Sequence, residues 1–165
     1  MPVYVVDSNV FIEAHRKTYP LDVATSFWSK VKELADAGLI ISIDKVKNEL
    51  YDKNDDLENW CRANLPDSFF VDSSTVLPEY GRISQWVSTK RNHYLPNAIN
   101  EFLDVNEADA FLIAFTLADT GRVLVTHEVS SPNKKNKVKI PEPCHDLGVT
   151  YVNIIEMFRA IGETF

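Results

Sequence analysis

The chain has 165 residues, 45% of them hydrophobic and 25% charged, which gives enough apolar material for one core and too little length for two comfortable domains. Its formal net charge of −7 excludes a protein that coats nucleic acid by charge alone. No apolar run approaches the roughly 20 residues of a membrane span, and the chain opens on a strand pattern without a basic leader; a single cytoplasmic domain over residues 1–165, with Cys61 and Cys144 as reduced thiols, is the expectation.

The apolar run Val3-Tyr4-Val5-Val6 predicts a first strand, closed by Asp7. Phe27, Trp28, Val31 and Leu34 recur at helical spacing and predict a helix over 23–37, stopped by Gly38. Leu39 to Ile43 reads as a second strand, after which Asp44 is placed to cap a helix running to Tyr51. A helix over 55–64 and a short strand over 69–72 follow. The stretch 75–103 has helical character that Pro78, Gly81 and Pro96 are expected to break. The clearest helix is 107–120, ended by Gly121, and it leads into a fourth strand over 122–126. Residues 128–146 read as a polar loop with three prolines, and a fifth strand over 150–154 precedes a last helix. Strand and helix alternate, and the strands are apolar with little two-residue periodicity. The pattern predicts an α/β protein: a three-layer α/β/α sandwich around a mostly parallel sheet of about five strands.

Four acids fall where such a sheet gathers them. Asp7 ends the first strand, Glu49 follows the second, Asp109 opens the best helix and Glu128 follows the fourth strand. In an open parallel sheet strands end and helices begin along one edge, where ligands bind. Carboxylates collected there repel one another unless a divalent cation sits among them. Asp109 carries the strongest signal, because Ala108 and Ala110 beside it leave room for an ion and a phosphate. Glu107, about 200° away around a regular helix, fits better as an ordinary acid near a helix N-terminus. Asn9 is placed to orient Asp7, and Thr126 to aim a neighbouring carboxylate. His127 beside them is more often structural than catalytic. The basic run Lys134, Lys135, Lys137 and Lys139 reads either as a solvated loop or as an arm contacting nucleic-acid phosphates. No phosphate-binding glycine loop and no zinc spacing of histidine or cysteine occurs.

Taken together, Asp7-Ser8-Asn9-Val10, Glu49, Glu107-Ala108-Asp109-Ala110 and Thr126-His127-Glu128 resemble the acidic signature of PIN domains, over nearly the whole chain. Only the set of four motifs is specific. The longer strings Val5 to Ala14 and Thr126 to Ser130 also resemble an uncharacterised bacterial PIN-like family. The resemblance implies about five parallel strands flanked by helices, and a Mg²⁺- or Mn²⁺-dependent endoribonuclease. Asp7, Glu49 and Asp109 match the three core acids. Glu128 takes the fourth place, where Asp is commoner. The resemblance further implies an RNA substrate, a frequent homodimer and, for VapC-type toxins of toxin–antitoxin pairs, a cognate antitoxin. A phosphatase of the haloacid-dehalogenase type would want a second Asp where Asn9 stands. The competing reading of a different class is a non-catalytic PIN-like module that binds RNA or a protein.

Overall fold

In a computed structural model that describes Met1–Phe165, the first strand β1 is Val3–Val6, and it becomes the middle of the sheet because Tyr4, Val5 and Val6 are all buried. It pairs in parallel with β2 (Ile40–Ile43) on one side and β4 (Arg122–Val125) on the other. The edges are β3 (Phe70–Val71), on β2, and β5 (Tyr151–Val152), on β4. The order is therefore β3-β2-β1-β4-β5 and every pairing is parallel, as the alternating pattern predicted.

Eight α-helices fill the crossovers, α1 (Ser8–Glu13), α2 (Thr25–Asp36), α3 (Asp44–Leu50), α4 (Asp56–Asn64), α5 (Leu77–Ser88), α6 (Pro96–Leu103), α7 (Asp109–Leu117) and α8 (Pro141–Leu147), and a ninth, α9 (Ile154–Ile161), follows β5. Connections from β1 run outward through β2 to β3, and those from β4 run outward to β5. Right-handed crossovers then place α1 to α4 on one face and α5 to α8 on the other. Helix α7 is the buried spine of the second face: every residue from Ala110 to Thr116 is inside. None of these helices is long and apolar enough to cross a membrane. Cys61 and Cys144 are buried free thiols.

Three local expectations are corrected. Pro78 and Gly81 do not break the middle segment, because Pro78 lies in the first turn of α5, where its missing N–H has no intrahelical partner to lose. Gly81 is carried by the buried stripe Ile83, Trp86 and Val87. For the same reason Pro141 and Pro143 begin α8 inside what reads as a loop. Asp44 is the first residue of α3 rather than its cap, and its carboxylate accepts from the amide and hydroxyl of Ser73, at 3.1 and 2.6 Å. Helix α2 does stop as its glycine predicted, with Gly38 left-handed at φ 72°.

The last helix is fixed by a reciprocal cap: the Asn153 side chain accepts the Glu156 N–H at 2.8 Å, and the Glu156 carboxylate accepts the Asn153 N–H at 2.9 Å. Asn153→Ala is expected to lower stability by about 1 kcal/mol in urea unfolding; an unchanged midpoint would show that packing alone holds α9.

Candidate metal centre

Strands β1 and β4 are neighbours whose connections leave in opposite directions, so the crevice beyond their C-terminal ends is the switch point of the sheet. Asp7 follows β1 directly and is 1% exposed. Thr126 follows β4 and is also buried. Its hydroxyl donates to Asp7 Oδ2 at 3.1 Å and accepts the Glu128 N–H at 3.1 Å. One hydroxyl thus ties the two strand ends together. Thr126→Val should cost about 1–3 kcal/mol in urea unfolding, because a buried acceptor and a buried N–H both lose their partner. Thr126→Ser should recover most of that loss; a valine variant as stable as the wild type would show that water replaces the hydroxyl.

Ser8 opens α1 and makes the next link. Its hydroxyl donates to Glu49 Oε2 on α3 and lies 3.4 Å from Asp7 Oδ1. Glu49 is half-buried and lines a cleft of about 180 Å³ together with Ser8, Asn9, Glu107, Asp109 and Lys137. Asp109 reaches this cleft from the first residue of α7. Asn9 lines it as an exposed residue of α1.

Glu128 is engaged on both oxygens. Oε2 accepts the Ile140 N–H at 2.7 Å, and Oε1 lies 3.4 Å from the Lys137 ammonium. Its side chain is 8% exposed and does not line the cleft.

The electrostatics reflect four acids on one edge. Burial, then the charges of Glu128 and Glu49, push Asp7 up to about 7. Asp109 is held well above the usual carboxylate range by burial first and then by Asp7 and Glu128. Burial pulls Lys137 down, but the Glu128 and Asp109 charges outweigh it and the ammonium is strengthened. The donor set is carboxylate oxygen with a hydroxyl, the hard-oxygen chemistry suited to Mg²⁺ or Mn²⁺. No three of these side chains converge closely enough to hold one ion in this conformation. In this conformation Ser8 engages Glu49, and Lys137 and Ile140 engage Glu128.

Several residues stand apart from their sequence reading. Glu107 is not on the far side of a helix: α7 begins at Asp109, and Glu107 in the preceding turn lines the same cleft. Glu101, which carried no signal in the sequence, lines it too. Ser8 carries no local signal in the sequence, because its partner Glu49 lies 41 residues away. His127 lines a different cleft, with Tyr19 and Ile154, and burial lowers its proton affinity. Of the basic run only Lys137 enters the acidic cleft; Lys134 and Lys135 are exposed and Lys139 half-buried.

The family described as "Domain of unknown function (DUF4411)" matches residues 4–165. No curated protein matches the chain. Among solved structures, the crystal structure of VapBC2 from Rickettsia felis bound to a DNA fragment from their promoter aligns over 92% of this chain and 98% of that chain, at 17% identity and a TM-score of 0.48.

Proposed function

The chain belongs to the DUF4411 family, and from its switch-point crevice we propose that it is a divalent-metal-dependent ribonuclease that hydrolyses phosphodiester bonds of RNA. The observation that carries this reading is the pair Asp7 and Asp109. Asp7 is buried and Asp109 is half-buried on the cleft wall, each held up by the other acids of the edge, an arrangement that costs folding energy and that a cation repays.

Asp7, Asp109 and Glu49 would hold Mg²⁺ or Mn²⁺, with Glu128 a fourth acid at the same edge. When bound, such an ion stabilises charge on the attacked phosphate and supplies a water of lowered pKa. The protein's own groups set the stage. Thr126 holds Asp7 in one orientation, and Ser8 holds Glu49 until the site is loaded. Water oxygen bonds to phosphorus in line with the departing 3′-oxygen, which takes up a proton, leaving 5′-phosphate and 3′-hydroxyl ends. RNA in single strands or loops fits best, because its phosphates and unstacked bases can enter an open cleft. Lys134, Lys135 and Lys139, outside the cleft, are candidate contacts to flanking phosphates. An antitoxin partner and a homodimer follow only from the PIN resemblance.

The test is cleavage of a mixed single-stranded RNA pool with Mn²⁺, with Mg²⁺ and with chelator. Cutting that requires the metal and leaves 5′-phosphate ends supports the reading. Absence of cutting by folded, metal-loaded protein favours a binding module. That second reading has its own observation, the full engagement of Glu128 by Lys137 and Ile140.

A further inference from the structure

The loop that carries the basic run is fastened along its length. The Leu95 N–H donates to the Lys135 carbonyl at 2.9 Å, and a His93 ring nitrogen lies 3.1 Å from the Lys134 carbonyl. Val138 and Ile140 are sunk in the core at 2% and 0% exposure, and the Ile140 N–H returns to Glu128. Lys137 sits between these anchors, so its backbone is held beside the cleft. Its ammonium lies 3.4 Å from Glu128 Oε1, and its side chain lines the cleft with Glu49 and Asp109.

We infer that Lys137 is a resident cation of the acidic cleft, occupying the place of a second divalent ion, so that the site takes one ion and not two. The inference rests on the metal-site reading above. A site of four carboxylates can balance two divalent ions, which in two-metal enzymes sit about 3.5–4 Å apart. Here Glu128 is already neutralised by a tethered ammonium. Asp7, Glu49, Glu101, Glu107, Asp109 and Glu128 carry more negative charge than Lys137 and one divalent ion cancel, so the limit is position rather than charge: a second ion beside Glu128 would have to displace the ammonium or sit against it. The resulting pair of unlike cations suits a phosphate: the ion takes one oxygen and the ammonium, a point charge on three donors, takes another.

The test is titration of the metal-free full chain with Mn²⁺ by calorimetry, and by electron paramagnetic resonance of the bound ion, in wild type, Lys137→Met and Lys137→Arg. The expected result is one ion in wild type and in Lys137→Arg. Lys137→Met is expected to bind a second ion, or its first ion roughly tenfold more tightly, since a competing charge is gone. Two ions in wild type, or a spin-coupled Mn²⁺ pair in its spectrum, would overturn the inference whatever the variants do. One ion in wild type and an unchanged stoichiometry and affinity in Lys137→Met would overturn it while leaving the metal-site reading standing. No ion bound by wild type or by Lys137→Met would remove both.

Discussion

Asp109→Asn is expected to reduce metal-dependent RNA cleavage by more than about 100-fold while leaving the metal-free fold as stable as the wild type or more so. Changing a group that merely supports a metal ligand typically costs about 10–100-fold, so loss of a direct ligand at the cleft wall should exceed that range. The stability half follows from the surroundings. Burial and the Asp7 and Glu128 charges oppose ionisation of Asp109, and an amide removes a charge that Lys137 offsets only in part in the metal-free site. A large fall in melting temperature would instead mean that the carboxylate's main role is at the start of α7. A variant that still cuts would take Asp109 out of the reaction.

The second large effect is on pH. Asp7 is raised from 3.8 to about 7, so between those values the folded protein holds a proton that the unfolded chain has released. The sign follows from linkage: Asp7's contribution to stability is fully present below about pH 4 and is lost as pH rises through about 7. The full span corresponds to something on the order of 4 kcal/mol. In chelator, Asp7→Asn should therefore gain on the wild type progressively from pH 4 to pH 7.5, read as the difference between their urea midpoints. Saturating Mn²⁺ should reverse the gain at pH 7.5, because the ion favours the ionised carboxylate that the variant lacks. A difference that stays flat across the range would show that Asp7 is ionised throughout.

The alternation of strands and helices was legible because each strand is a short apolar run followed by a polar or acidic residue. The central strands β1 and β2, largely buried, leave that trace most clearly. Asp7, Asp109 and Glu128 were legible by position, at a strand end or a helix start, whereas Glu49 lies near the far end of α3 and stands out only beside its companions. Helix α1 was not, because six residues after Asp7 are too few to show a period. Pro78, Pro141 and Pro143 look like helix breakers or loop residues in the sequence yet lie in first turns, whereas Pro96 does mark the break between α5 and α6: a proline stops a helix from inside and starts one from its first turn, and sequence does not say which turn it occupies. Glu107 looks helical in the sequence, whereas α7 begins two residues later, at Asp109. What no local pattern carries is pairing across the chain: Ser8 with Glu49, Thr126 with Asp7, and Glu128 with Lys137 and Ile140 exist only once the sheet has closed.

The two outer strands, β3 and β5, are two residues long. An edge that short offers almost no run of free backbone donors and acceptors, so an extended peptide gains little by adding a strand there. Any protein that recognises this domain has to read its helices and loops instead, and the same brevity guards against open-ended stacking of copies through the sheet.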